Sequence, residues 1–367
     1  GIATRMLIET EASPADPAMA APCAPPGGPL RVLVVTDAWH PQGNGVVRTL
    51  ATVAGEMTRA GDVVEVIGPD RFPTVPLPSY PEIRLALFPR RRLARLVDAF
   101  GPEAIHIATE GPLGRAMHGL CLERGWPFTT SFHTKFPDYL YARLRVPPRF
   151  AWAMLRRFHE AGQGTFAATP SLRAELAARG FTKVVAWTRG VDLALFHPHP
   201  GREALWPDLP RPIFLYAGRV AVEKNIAAFL ALDLPGSKVV VGDGPQRAAL
   251  ERRFPRVHFA GWRQGRALAE AYAGADVMVF PSRTDTFGLV LLESLACGTP
   301  VAAFPVTGPL DVIAPGTGAL SEDLREAALA ALSADRAACR AHAEGFSWSA
   351  CAAAFRQRLV LIAPAGG

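Results

Sequence analysis

The sequence predicts an α/β protein built from two doubly wound parallel sheets, one in each of two domains. Three observations lead there. Short runs rich in Val, Ile and Ala, of the kind buried on both faces, recur along the 367 residues, and each is followed by a loop and a stretch of helical periodicity. A proline-rich stretch without periodicity, 196–212, interrupts that alternation and reads as a junction. The length suffices for two cores of ordinary size. The expected division is a leader at 1–29, a first domain at 30–195, a linker at 196–212, a second domain at 213–345 and a terminal helical stretch at 346–367.

Composition sets the outer bounds. Hydrophobic residues make up 49% and charged residues 20% of the chain, the balance expected of a soluble globular enzyme. No apolar run reaches the length of about 18 residues that reads as a membrane-spanning helix. The five cysteines, Cys23, Cys121, Cys297, Cys339 and Cys351, are odd in number and scattered, with no C-x-x-C. That pattern argues against a disulfide framework and a zinc site, and points to a reducing cytoplasm. Residues 1–29, rich in Ala, Pro and Gly, read as a disordered segment that carries no chemistry.

In the first domain, strands are expected at 31–36 (RVLVVT), 62–67, 104–108 (AIHIA), 128–132, 165–170 and 183–187. After the first comes the loop DAWHPQGNG, then a helix over 46–60 that stops at Gly61. Gly43 and Gly45 allow a close backbone approach at the carboxyl end of the first strand, where open α/β sheets bind ligands; alone, such glycines could simply make a turn. His133 follows the strand at 128–132. A histidine at the carboxyl end of a parallel strand favours function over a satisfied core residue.

The second domain opens with a strand at 213–217 (IFLYA), followed at once by GRVAVEKN. Arg219 and Lys224 therefore lie at and just beyond a strand end, where a pair of cations can hold a diphosphate. Any single one of them is by default a surface charge. Further strands are expected at 238–241 and 257–260. GDGP at 242–245 reads as a turn rather than a dinucleotide fingerprint, and Gly261-Trp262 closes the second of these strands.

The stretch 281–300, PSRTDTFGLVLLESLACGTP, is the most informative. A buried strand (ADVMVFP) precedes it, another (TPVAAF) ends it, and between them a polar loop leads through Phe287-Gly288 into a short helix stopped by Gly298. Strand, loop and helix in this order aim free N–H groups and the positive end of the helix dipole at the carboxyl end of a sheet, a ready phosphate site. Asp285 and Glu293 bracket the turn. Phosphate needs no carboxylate beside it, but the hydroxyl groups of a sugar or ribose do, so the arrangement suits a sugar nucleotide. The bland alternative makes Asp285 a helix cap and Glu293 a solvated residue.

The whole stretch resembles the E-x7-E signature of the retaining glycosyltransferases of family 4, because TFG, LLES, ACGTPV and both flanking strands fall in order. GRVAVEKN and RGVD at 189–192 resemble further segments of that family, and the likeness runs from about Arg31 to the C-terminus. One departure stands out: Asp285 occupies the place where the family usually has Glu. The resemblance implies a GT-B fold, two Rossmann-like domains facing across a cleft, and transfer of a hexose from a nucleotide sugar with retention at the anomeric carbon. It further implies that Asn44 and Gly45 face the donor phosphates, Arg219 and Lys224 hold the diphosphate, and His133 and Asp285 contact the hexose. Glu293 would hold the ribose, the backbone of Phe287, Gly288 and Leu289 the phosphate, and Gly261-Trp262 the base. In such enzymes the departing phosphate is thought to accept the proton of the acceptor hydroxyl, and the terminal helix crosses back to the first domain. With no D-x-D motif, no metal and no cofactor beyond the donor are expected. Runs such as NGVVRTL, HIATEGPLG and SRTDTFGLVLLE look most like bacterial enzymes that glycosylate diacylglycerol, with sulfoquinovosyl and mannosyl transferases of lipids as near relatives, and a UDP-sugar donor is favoured. The alternatives are a GDP-mannose-dependent mannosyltransferase acting on a lipid or polysaccharide, and a sugar-nucleotide epimerase of the same fold.

The net charge of +6 is uneven. Residues 30–195 hold 21 Lys and Arg against 14 Asp and Glu, whereas the part from Phe196 onward holds 17 against 16. With the FPRRRLAR run at 88–95 and a second basic stretch at 143–157, this predicts a first domain seated on an anionic membrane at the inner face of the cell membrane, with a lipid acceptor and no nucleic acid. The competing reading is that these arginines only solvate helix faces or pair with acids such as Asp98, Glu103 and Glu160.

Overall fold

The computed structural model describes residues 27–40, 45–77, 80–133, 147–284 and 288–363. The first sheet contains β1 (Arg31–Val35), β2 (Val63–Ile67), β5 (Ala104–Ile107), β6 (Thr129–Ser131), β7 (Gly164–Ala167) and β8 (Val184–Ala186). Its order is β2-β1-β5-β6-β7-β8, parallel throughout. An antiparallel hairpin of β3 (Thr74–Leu77) and β4 (Tyr80–Ala86) lies outside it. The second sheet contains β9 (Ile213–Ala217), β10 (Ser237–Val241), β11 (His258–Gly261), β12 (Val277–Phe280), β13 (Val301–Ala303) and β14 (Gly318–Leu320), in the order β11-β10-β9-β12-β13-β14. Two Rossmann-like parallel sheets with helices on both faces are the GT-B arrangement that the sequence predicts.

The strands form where the apolar runs are because both faces of each sheet are covered. Leu33, Val35, Ile105 and Ile107 face one cluster of the first sheet, and Val32 and Val34 the other. In the second sheet the same alternation sends Ile213 and Leu215 to one side and Phe214 and Tyr216 to the other. The helix Gly45–Arg59 ends as Gly61 turns the chain at φ +107.

Two stretches differ from a simple strand-helix reading. Residues 196–212 are more than a tether: Phe196 is buried in the core of the second domain, with Leu205, Trp206 and Leu209 packed against it. Within the terminal stretch expected at 346–367, the last helix among the described residues runs over Trp348–Gln357. It packs on the first sheet rather than the second. Cys351, Ala352, Phe355 and Leu359 share a cluster with Leu30, Val32, Leu50 and Val53. Arg356 seals the contact, with Nε donating to Asp62 Oδ2 at 2.8 Å and Nη2 to the carbonyl of Gly28 at 2.6 Å.

Candidate active site

The donor side is built on loops at the carboxyl ends of β9, β10 and β12. The loop after β9 is laid directly on the loop after β10. Gly218 N–H donates to Val241 O (3.0 Å), Val220 N–H to Asp243 O (2.9 Å) and Gln246 N–H to Val220 O (3.1 Å). Gly242 makes this contact possible: its φ is +148, and a Cβ there would stand 1.8 Å from the carbonyl oxygen of Gly218. The sequence shows GDGP as a turn; the structure adds that the turn carries the backbone of Arg219. Tyr216 O–H donates to Arg219 O at 2.7 Å, which leaves the guanidinium exposed beyond the strand end. Lys224 closes the short 3-10 turn Val222–Lys224 and is half-buried. Asn225 follows in the left-handed region at φ +55, and its Nδ2 donates to Pro281 O at 3.0 Å. That bond ties the cation-bearing loop to the loop before Gly288, a role invisible in the sequence.

Gly288 precedes the helix Leu289–Ala296 and offers no capping side chain. The first N–H groups of such a helix lack carbonyl partners one full turn back and can serve an anion, although here Leu291 N–H bonds Gly288 O at 3.0 Å. A Cβ at Gly288 would approach Leu291 Cγ to 3.0 Å. One turn further in, Glu293 accepts from Tyr272 O–H at 2.9 Å. Burial pushes the Glu293 carboxyl up to about 7, against the opposing pull of the Tyr272 hydrogen bond and the charge of Arg48. Tyr272 is fully buried beneath it.

Arg48, Thr49 and Thr52 of the helix Gly45–Arg59 face Gly218, Gly242, Leu289 and Glu293 across a cleft of about 860 Å³, within the size range of ligand sites. Trp262, 64% exposed, and Trp348 also line it. The cleft thus brings together Trp262, Leu289 and Glu293. Arg219, Lys224 and His133 are not among its lining residues, although Arg219 adjoins Gly218. Asn44, Asp285 and Phe287 lie outside the described residues, and Gly45 opens the first helix.

His133 sits just past the end of β6. Its Nε2 is buried without a hydrogen-bond partner among the described residues. Burial pushes the imidazole down to about 4, outweighing the charge of Glu110, and the ring bonds the backbone of Ala108. That bond must use Nδ1. A neutral ring donating from Nδ1 presents Nε2 as an acceptor, which suits a sugar hydroxyl.

Two more polar devices hold the carboxyl edge of the first sheet. Asp37, after β1, accepts from Leu113 N–H (2.7 Å), Gly114 N–H (3.2 Å) and Thr109 Oγ1 (2.7 Å), capping the helix Pro112–Arg124 from outside it. Burial raises its carboxyl above the usual range. Asp37 is missed in the sequence because its partners lie more than seventy residues away. Glu110, after β5, bonds the buried His159. Among the described residues, no group of three or more His, Cys, Asp or Glu stands together as a metal site.

Residues 43–195 match the family Glycosyltransferase Family 4, and residues 211–334 match Glycosyl transferases group 1. A GDP-mannose-dependent alpha-mannosyltransferase of Mycobacterium tuberculosis is 32% identical over 309 residues, covering 78% of this chain and 82% of the relative. Sulfoquinovosyl transferase SQD2 of Arabidopsis thaliana is 30% identical over 270 residues, 68% of this chain and 51% of the relative. Among solved structures, the sucrose-phosphate synthase of Thermosynechococcus elongatus superposes with a TM-score of 0.66 at 22% identity, covering 89% of this chain and 98% of that one.

Proposed function

The chain belongs to glycosyltransferase family 4 and is a hexosyltransferase of GT-B fold, and on that premise we propose that it moves mannose from GDP-mannose to a hydroxyl of a lipid acceptor. The donor preferred here replaces the UDP-sugar favoured by sequence motifs alone. What supports the change is the likeness to a GDP-mannose-dependent alpha-mannosyltransferase, which spans both domains at 32% identity. The broad exposed face of Trp262 at the cleft is compatible with stacking on a purine.

In this reading the second domain binds the donor. Arg219, Lys224 and the N–H groups at Gly288 and Leu289 stabilise the charge that collects on the departing diphosphate, where electrostatic catalysis has most to contribute. Glu293 accepts from the ribose hydroxyls, and His133 Nε2 and Asp285 accept from the hexose. The diphosphate oxygen takes the acceptor proton as the new glycosidic bond forms on the face that the leaving group vacates. Incubation with GDP-mannose, GDP-glucose, UDP-glucose and UDP-galactose, each with a panel of lipid acceptors, tests the assignment by product chromatography. Mannolipid formed from GDP-mannose is expected. Transfer from a UDP-sugar with none from GDP-mannose overturns the donor assignment.

The acceptor side we assign to an anionic membrane surface. Phe88, 94% exposed, precedes the exposed Arg91, Arg92 and Arg95, and Phe150 and Met154 project from the helix Pro148–Glu160 beside Arg149. Asp98 is paired with Arg124 rather than with these arginines. Among the described residues no helix is long and apolar enough to cross a membrane. With each basic residue near such a surface contributing about 1 kcal/mol, sedimentation with anionic vesicles is expected at low salt, lost at high salt and weakened in Phe88→Ser. Equal binding to neutral and anionic vesicles removes the electrostatic assignment.

A further inference from the structure

The carboxyl edge of the first sheet contains a polar relay that the donor site does not use. β1 and β5 are neighbours, with β2 beyond one and β6 beyond the other, so the chain reverses its direction of winding between them. Ligands of open α/β sheets bind in the crevice at such a switch point. The loops entering it carry Asp37 from β1 and Thr109 and Glu110 from β5. Asp37 is committed to capping the helix Pro112–Arg124, but Glu110 is held differently. His159 Nε2 lies 2.8 Å from Glu110 Oε1, and His159 Nδ1 lies 2.6 Å from Thr130 Oγ1. Because a carboxylate only accepts, Nε2 carries the proton of this bond whichever way the Thr130 hydroxyl turns. His159 is wholly buried, whereas the Glu110 side chain keeps 14% of its surface exposed. Arg115 Nε fixes the backbone by donating to Glu110 O at 2.9 Å. The carboxylate is near enough to act on His133, whose Nε2 waits without a partner among the described residues.

We infer that Glu110 is an acceptor-binding carboxylate, its Oε1 fixed by the Thr130–His159 relay and its Oε2 accepting a hydrogen bond from a hydroxyl of the acceptor. Thr130 and His159 are then positioning residues. The assignment rests on the glycolipid reading above and narrows it. A fixed carboxylate binds hydroxyl groups and repels phosphate or carboxylate, so the part of the acceptor that meets Glu110 is an uncharged polyol or sugar rather than an anionic headgroup.

The test uses the full chain with radiolabelled GDP-mannose and three acceptors: octyl α-mannoside, dioleoylglycerol in detergent micelles, and a total lipid extract of mycobacterial membranes. Initial rates over a range of the acceptor that the unaltered chain labels best give its KM, and calorimetry gives the Kd of GDP. Glu110→Gln, and independently Glu110→Ala, are expected to raise the acceptor KM tenfold or more while GDP affinity stays within twofold. His159→Asn is expected to shift the acceptor KM in the same direction by less. An acceptor KM unchanged in both Glu110 variants overturns the inference while leaving the donor reading intact. So does a loss of GDP affinity as large as the loss for acceptor, since a merely structural role would move both. No labelled product with any of the three acceptors overturns the glycolipid reading, and the role of Glu110 falls with it.

Discussion

Replacing Glu293 with Gln should make the protein more stable and a poorer enzyme, and the size of the first effect follows from burial. The carboxyl stands at about 7 in the folded chain against an ordinary 4.5. Folding therefore favours its protonated form. The sign follows directly: between these values the folded state binds more protons than the unfolded one, so stability falls as pH rises. That loss begins near the unfolded value and is complete above the folded one. At 1.36 kcal/mol per pH unit of separation, the cost of keeping this carboxylate ionised at pH 8 is about 3 kcal/mol, and at pH 5 it is under about 1 kcal/mol. Gln retains an oxygen for the Tyr272 hydroxyl and carries no charge, so it escapes this cost. Urea unfolding of both proteins at pH 5 and pH 8 should show the variant ahead by about 3 kcal/mol at the higher pH, with most of the gap closed at the lower. Calorimetry at pH 8 should show GDP binding weakened by about 1.5–3 kcal/mol, the range for hydrogen bonds to a charged group. A gap that does not change with pH, or a variant less stable at pH 8, refutes the reasoning.

Three further outcomes are expected. Arg219→Ala and Lys224→Ala should each weaken GDP binding by about 1.5–3 kcal/mol in calorimetry, and unchanged affinity in both removes them from the diphosphate. Asn225→Ala loses the bond to Pro281 O and places a Cβ-bearing residue without a polar side chain at φ +55. A loss of about 2 kcal/mol in urea unfolding is expected, whereas Asn225→Gly should recover the backbone part of it. Mannosyl transfer should persist in EDTA, and activity that disappears with the chelator and returns with magnesium or manganese contradicts the metal-free reading.

Apart from the short edge strand β14, which is only half-buried and was not expected, the strands of both sheets were legible because burial on both faces writes itself into composition. After the exposed Arg31, VLVV has no polar residue to place, nor has VMVF, and IFLYA has only the Tyr216 hydroxyl, so they identify central parallel strands without reference to their partners. The β3–β4 hairpin was not legible, since its strands are interrupted by prolines at Pro76 and Pro81 and pair outside both sheets. The site divides the same way. Gly288 and Glu293 could be found because one strand, one loop and one helix carry them in sequence. Asn225 to Pro281, Tyr272 to Glu293 and Thr130 through His159 to Glu110 could not, because each bond joins residues some twenty to fifty-six positions apart that only the fold brings together. Glycine is the intermediate case. The sequence shows that Gly242 bends the chain, but only the 1.8 Å separation from Gly218 O shows why nothing larger can stand there.

The return of the helix Trp348–Gln357 to the first sheet has a consequence for how the protein is made. Phe355 is 1% exposed amid Leu50, Val53, Phe166 and Trp187, all of which are translated at least 160 residues earlier. While the ribosome is still adding the second domain, that face of the first sheet is covered only in part, by the helix Gly45–Arg59 through Leu50, Val53 and Met57. The second domain, whose two clusters draw only on residues from Val191 to Phe346, can close its core before the first domain can. Synthesis order and completion order are thus inverted, and the first domain waits, with part of an apolar face open to chaperones, for the helix Trp348–Gln357 to arrive.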